Sequence, residues 1–348
     1  MQTWGRRWAG RLGLRKERRY LIDYEPEPGR RSEKAERLVD FCLGDPQSRM
    51  GRTFTPKSSY EAKNSILRFE ATHGHLVISR AGIHRPRDQK KVVRALMTQR
   101  AAIPDRLRCW LVRGDGAGKT TNPKRGLHIT GMRPADRRDL VLVPTACRQR
   151  FLGPRLARQM EELRASWVPW EEKSDVAWWG GALTGDWWFG REPRVLTRRE
   201  VLYHFRDHPS DRVRLQLTRP GDNVELPPGM NLAKRFTKGH AYTHKCLVLL
   251  PGNDIASGSS WFFCGNSVVL MPPPHLEHIL YFEMEPWQHY VPLESDPADI
   301  LVKLQWVLDH PDEARRIVAN SHERLRWLCG PEYLWACNEV LRRIASPT

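Results

Sequence analysis

Residues His244–Leu293 read HKCLVLLPGNDIASGSSWFFCGNSVVLMPPPHLEHILYFEMEPWQHYVPL, and this stretch decides the fold. Lys245 to Leu250 is a short apolar run of the kind that becomes a buried strand, and it stops at the turn-forming Gly252-Asn253-Asp254. Ala256 to Phe263 predicts a short helix whose first turn offers free N–H groups to phosphate oxygens. Ser267 to Met271 is the next strand, stopped by Pro272-Pro273-Pro274, and Glu277 follows on a loop or helix start. Asp296 is expected to cap a helix with Pro297 at its first position and Ile300, Leu301, Leu304 and Leu308 on one face. Strand, turn, helix and strand recurring in this order predict a doubly wound, mostly parallel α/β sheet, which binds nucleotides at its strand ends.

The same alternation extends toward the N-terminus. Ser166-Trp167-Val168-Pro169-Trp170-Glu171-Glu172-Lys173 reads as a Trp/Pro-rich linker and marks a domain boundary. A short buried strand, Asp175 to Trp179, then ends in Gly180-Gly181-Ala182-Leu183-Thr184-Gly185-Asp186, a turn in which backbone can approach a ligand closely. Thr197 and Glu200 form a capping box for a helix reaching about Arg206, and Val213 to Leu217 is a strand. Before the boundary the pattern is mixed: a helix at Ala35 to Cys42, a strand at His75 to Ser79, a helix at Asp88 to Gln99, and strands at Cys109 to Val112 and Leu140 to Val143.

Gly114-Asp115-Gly116-Ala117-Gly118-Lys119-Thr120-Thr121 invites comparison with a phosphate-binding loop. That loop needs four residues between its glycines, so that successive N–H groups wrap a phosphate ahead of a helix. Here Gly114 and Gly118 enclose three, and Pro123 and Gly126 interrupt any helix that follows. A strand running into a Gly-rich turn that exposes Asp115 is the better description.

Composition sets the outer bounds. The 348 residues suffice for two domains, and a formal net charge of +17 implies an anionic partner: nucleic acid, anionic lipid, lipopolysaccharide phosphate or a nucleotide sugar. No recognisable nucleic-acid reader module is present, so nucleic acid is not expected as a partner. Seven scattered cysteines without a CxxC pair argue for a reducing compartment and against a zinc ribbon. No apolar run approaches the ~20 residues needed to cross a bilayer, and the N-terminus lacks a signal-peptide pattern. The chain is therefore expected to be cytoplasmic, soluble or held peripherally on the inner membrane. Trp4, Trp8 and Leu12 recur every four residues among seven Arg and Lys residues, so residues 1–20 read as an amphipathic segment for an anionic membrane surface, as a basic tail, or as an arm contacting nucleic acid.

Four stretches carry a family resemblance: Lys173-Ser174-Asp175-Val176-Ala177-Trp178-Trp179-Gly180-Gly181; Gly252-Asn253-Asp254-Ile255-Ala256-Ser257-Gly258; Asn266-Ser267-Val268-Val269-Leu270-Met271-Pro272; and Glu285-Pro286-Trp287-Gln288-His289-Tyr290-Val291-Pro292-Leu293. In this order they resemble the signatures of glycosyltransferase family 90, over roughly Trp167 to Trp327. The resemblance implies a GT-B architecture of two Rossmann-like domains facing a cleft. Residues 1–30 then form the basic segment, 31–165 an acceptor-side domain, 166–325 the nucleotide-sugar domain, and 326–348 a helix packing back on the body. It further implies inverting transfer from a UDP-sugar to a lipopolysaccharide or other glycan or glycolipid acceptor, with no obligatory cofactor or metal.

Residue by residue, the resemblance places a catalytic base at Asp115, although a solvated turn aspartate fits the local sequence equally. It places a diphosphate-binding arginine at Arg194, with Arg191 the rival, and a ribose-binding acid at Glu277. Gly181, Ala182, Lys245, Asp254, Ala256, Ser257, Gly258, Ser259 and Ser260 complete the expected UDP-sugar site. His244, His289 and Tyr290 are read as packing residues. Two positions depart from the family: Gly180 stands where an arginine is usual, and Ser260 where bacterial members usually carry a lysine. Other cations compensate for them, or the chain is a weakened or inactive nucleotide-sugar or polyanion-binding member.

Overall fold

The computed structural model describes residues 17–21, 29–45, 66–72, 75–80, 108–112, 127–143, 153–185, 194–220, 226, 232–233, 235–252 and 255–344. The expected helix at Asp88 to Gln99 lies outside these residues, as do residues 1–16, Asp115, Arg191 and Asp254. In chain order the elements begin β1 (Glu17–Leu21), α1 (Glu33–Leu43), β2 (Ile66–Thr72), β3 (His75–Arg80), β4 (Arg108–Val112), β5 (Leu127–Thr130), β6 (Met132–Pro134) and β7 (Val141–Leu142). They continue with α2 (Pro154–Arg164), β8 (Ser174–Ala182), α3 (Arg198–Asp207), β9 (Val213–Arg219), α4 (Lys238–Ala241), β10 (His244–Val248), α5 (Ser259–Phe263) and β11 (Val268–Met271). Last come β12 (Leu276–His278), β13 (Val291–Pro292), α6 (Asp299–Asp309), α7 (Pro311–Trp327) and α8 (Pro331–Arg343). The chain divides into two compact units, one of Met1–Gly153, Leu276–Phe282 and Gly330–Thr348, the other of Pro154–His275 and Glu283–Cys329. Among the described residues no helix is long and apolar enough to cross a membrane.

The first unit carries a six-stranded sheet in the order β1-β3-β2-β4-β5-β7. It departs from the parallel Rossmann-like sheet expected for this half. The pairs β1/β3, β3/β2 and β2/β4 are antiparallel, and only β4/β5 and β5/β7 are parallel. For β2 and β3 the reason is local: two residues, His73-Gly74, separate them, and a connection that short permits only an antiparallel hairpin.

Helices α1 and α8 pack on one another in this unit, burying Ala35, Leu38, Val39 and Cys42 of one and Tyr333, Ala336, Val340 and Leu341 of the other. Ser32 caps α1, accepting from the Ala35 N–H at 3.1 Å while donating to Glu332 at 2.8 Å. Beneath them Arg133 is 0% exposed. Its guanidinium donates to the carbonyls of Phe41 (2.5 Å) and Cys42 (3.2 Å) at the C-terminus of α1, to Leu140 O (2.6 Å), and to Glu277 Oε2 (2.6 Å). Glu277 lies on β12, which pairs antiparallel with β6, and its other oxygen accepts from Arg138 at 3.1 Å. One planar cation thus joins α1, β6, β7 and β12, an arrangement that five fixed donors allow and a lysine does not.

The second unit is built on five parallel strands in the order β13-β11-β10-β8-β9. Their apolar residues are buried on both faces, as the short hydrophobic runs require. On one face Ala177, Trp179, Leu217, Cys246, Val248, Val268 and Leu270 pack under Val201, Leu202 and Phe205 of α3 and Ile300, Leu304 and Val307 of α6. On the other, Trp178 is wholly buried against Phe236 (ring centroids 4.6 Å apart, edge-on), Phe262, Trp261 and His244. The linker before β8 holds a single 3-10 turn, Trp170–Glu172, and Lys173 after it is buried. The Lys173 ammonium donates to Tyr242 O, to Asn266 Oδ1 at 3.0 Å and to Ser267 Oγ at 3.0 Å, and burial pushes its pKa down to about 8.

Two helix starts differ from expectation. The helix before β11 begins at Ser259 rather than Ala256, because Ala256 O accepts both the N–H (2.9 Å) and the hydroxyl (2.8 Å) of Ser259, making a turn of the preceding residues. The helix after β13 begins at Asp299, not beside Asp296. Asp296 instead accepts from the Ala298 N–H at 2.9 Å and organises a tight turn ahead of it. The capping box on α3 forms as read, with Thr197 and Glu200 satisfying each other's backbone N–H groups.

Glu277→Ala should lower stability by about 3–5 kcal/mol, since it strands a buried arginine. Denaturant unfolding checks this, and a loss under 1 kcal/mol contradicts it. His244, His275 and His322 are all held below the ordinary imidazole value, chiefly by burial, His275 at about 4. Because the unfolded chain binds these protons near pH 6.5 and the folded chain does not, stability is complete above that pH and falls as pH drops from 6.5 toward 4. The His275 share between pH 7 and 5 is at most about 2 kcal/mol. Urea midpoints at pH 8, 7, 6 and 5 test it, and a flat profile counts against it.

Candidate functional site

The geometry of the second unit singles out one place. The connection from β8 to β9 runs through α3 on one face of the sheet, and that from β10 to β11 runs through α5 on the other. Between β8 and β10 the strand order reverses direction, and the carboxyl edge at such a switch point is the place of the crevice in which open parallel sheets bind their ligands. The loop after β8 is Leu183-Thr184-Gly185, and the loop after β10 reaches Pro251-Gly252 before resuming at Ile255.

Where the two loops meet, backbone packs directly on backbone. Gly185 has φ of +98°, a conformation open to glycine, and a β-carbon there would lie 3.0 Å from the carbonyl of Gly252. Arg198, the first residue of α3, spans the same two loops. As the side chain of a helix's first turn it leans back past the helix start, toward the carboxyl edge of the sheet. Its Nη1 donates to Ala182 O at 2.8 Å and to Thr184 Oγ1 at 2.7 Å, while Nη2 and Nε donate to Leu250 O at 3.2 and 3.4 Å. The guanidinium carbon lies 5.9 Å from the centre of the Trp179 ring. Sequence reading passed over Arg198, although its place directly after the capping threonine was a usable signal.

Several expected residues are brought to this crevice. Gly181 and Ala182 end β8, and the carbonyls of both accept hydrogen bonds, from Thr218 Oγ1 (3.0 Å) and Arg198 respectively. Ala256, Ser257 and Gly258 follow the β10 loop, with Ser257 exposed and Gly258 preceding the first residue of α5. Arg194, 65% exposed, precedes α3, and its contact with Glu200 is long, at 3.8 Å.

Others go elsewhere. Lys245 is the second residue of β10, at the amino-terminal edge of the sheet and roughly 10 Å along the strand from its carboxyl end. There it pairs with Asp175 at 2.6 Å and lies 5.6 Å from the Trp170 ring centre, so the structure does not bring it to the crevice. Ser259 and Ser260 are fully buried, the first bonded to Ala256 O, the second accepting from Gln159 of α2 at 3.3 Å. Glu277 belongs to the first unit, where Arg133 and Arg138 occupy both its oxygens.

Gly180 explains its own departure from the family pattern. A β-carbon on it would lie 2.4 Å from Phe236 Cε1 and 2.5 Å from the Trp178 ring, so aromatic packing fills the space where another residue would start its side chain. His244 Nδ1 is 3.1 Å from Ala241 O, and His289 Nδ1 accepts from the Glu285 N–H at 3.0 Å.

Protein O-glucosyltransferase 2 of Danio rerio is 34% identical over 95 residues, 27% of this chain and 19% of that protein. The O-glucosyltransferase LpsA of Dichelobacter nodosus is 25% identical over 177 residues, half of each. The matches thus span from about a fifth to half of these relatives' lengths. The solved structure of Anabaena HepE in complex with UDP is similar at a TM-score of 0.37, with 8% identity over 64% of each chain, too weak a likeness to bear on function. The profile of glycosyl transferase family 90 matches residues 154–327, half of the chain and every element from α2 to α7, and the chain belongs to that family.

Proposed function

We propose that this chain is an inverting glycosyltransferase of GT-B architecture that moves a sugar from a UDP-sugar to a hydroxyl of a lipopolysaccharide or related surface glycan. The observation that carries the reading is the crevice between β8 and β10, bounded by glycine-bearing loops and located within the family-matched half. Relatives named O-glucosyltransferases support a hydroxyl oxygen as the attacking atom.

In this reading Asp115 takes the proton of the acceptor hydroxyl. The oxygen forms its bond to the anomeric carbon from the face opposite the nucleotide, and the bond to the diphosphate breaks with its electron pair leaving on UDP. Arginines ahead of α3, Arg194 and Arg191, and backbone N–H groups of the 252–258 loop stabilise the diphosphate charge, taking the part a metal ion plays in other transferases. The basic residues within 1–20 hold the chain against the anionic inner leaflet, close to its acceptor.

A second reading, a weakened or inactive member that binds a nucleotide sugar without transferring it, is favoured by two observations. The space at Gly180 is filled by Phe236 and Trp178, and Ser260 is buried against Gln159. The two readings part in a UDP-release assay over a panel of UDP-hexoses and UDP-pentoses with deacylated lipopolysaccharide as acceptor. Release that depends on acceptor supports transfer, and UDP binding by calorimetry without release supports the second reading.

Asp115→Asn should reduce turnover by about 10²–10⁴-fold while leaving UDP affinity within twofold. Unchanged turnover removes Asp115 from the mechanism. Gly180→Ala should destabilise the fold by about 1–3 kcal/mol through overpacking rather than improve activity. A melting temperature equal to that of the wild type contradicts this.

A further inference from the structure

We propose that Arg198 is a positioning residue that locks the two crevice loops into the arrangement that receives the donor. This inference rests on the UDP-sugar reading.

β8 and β10 are neighbours in the sheet, and the ladder between them runs to the pair Leu247 and Trp178, so Ala182 and Leu250 lie past its last pair. Carbonyls past the end of a ladder need other donors, and Ala182 O has one already in the Thr184 N–H at 3.0 Å. Arg198 provides them to both sides at once, to Ala182 O and Thr184 Oγ1 on one loop and to Leu250 O on the other, at 2.7–3.4 Å. The side chain is buried, and it is anchored at the first position of a helix whose capping box fixes where that helix begins. Gly252 fits closely beneath it: a β-carbon there would lie 3.1 Å from Arg198 Nη2 and 3.3 Å from Thr184 Oγ1. Guanidinium is the side-chain group suited to the task, because its planar fork directs donors along fixed vectors to acceptors on two chains, whereas an ammonium is a point charge on a flexible stem. A ligand that enters this crevice then meets loops already ordered, which reduces the entropy lost on binding.

Four variants test the proposal: Arg198→Met, Arg198→Lys, Thr184→Val and Gly252→Ala. Each is measured for melting temperature, for amide hydrogen exchange in residues 182–185 and 249–252 without ligand, and for UDP dissociation constant by calorimetry. Arg198→Met and Gly252→Ala are expected to speed exchange in both loops and to raise the UDP dissociation constant at least tenfold. Thr184→Val should do so about threefold, and Arg198→Lys should recover only part of the loss. Thr184→Val and Gly252→Ala keep the test decisive if Arg198→Met does not fold. Folded variants that bind UDP as tightly as the wild type, with unchanged loop exchange, overturn the clamp alone. Absence of UDP binding by the wild-type chain overturns the donor reading itself, and the proposal with it.

Discussion

The second unit depends on one constraint: a parallel sheet whose interior strand β8, between β10 and β9, is covered on both faces. Trp178 is buried on one side and Ala177 and Trp179 on the other, so no polar loop can lie over the sheet and all of them gather at its two edges. Covering both faces also requires the β8 and β10 connections to go opposite ways, to α3 and to α5. The crevice at the carboxyl edge follows from that divergence, and the site is a consequence of how the core is closed.

The two edges of the sheet serve different ends. At the amino-terminal edge Lys173 binds Tyr242, Asn266 and Ser267, and Lys245 pairs with Asp175, so both lysines are spent on holding strands and linker together. At the carboxyl-terminal edge Arg198 holds the loops, while Arg194 stays exposed ahead of α3. The departures at Gly180 and Ser260 are likewise packing facts. The indole of Trp178 and the ring of Phe236 need a glycine at 180, and Ser260 sits against α2. Cation placement in this unit is governed first by the core and only then by a ligand.

Much of the second unit was legible in the residues. The strands from Ser174, Val213, His244 and Val268 and the capping box at Thr197 follow from apolar runs bounded by turn residues and from a local hydrogen-bond motif, both of which act over a few residues. What escaped reading depends on distant partners. Glu277 sits in a stretch that looks continuous with the second unit, yet pairing with β6 and two arginines draws it into the first. Lys245 opens the strand that the residues predict and so stands at its amino-terminal end, which strand direction alone already separates from the ligand edge. Arg198 was hidden among arginines that sequence alone cannot rank by burial. The antiparallel part of the first sheet was within reach, because two residues between β2 and β3 exclude a crossover.

The central claim is that the crevice between β8 and β10 is a UDP-sugar site. Hydrogen–deuterium exchange with and without saturating UDP tests it most directly. The account predicts protection concentrated in the peptides covering 180–185 and 250–258, with the amino-terminal edge around 173–175 and 244–245 unchanged. Protection confined to other segments, or none at saturating UDP, contradicts it.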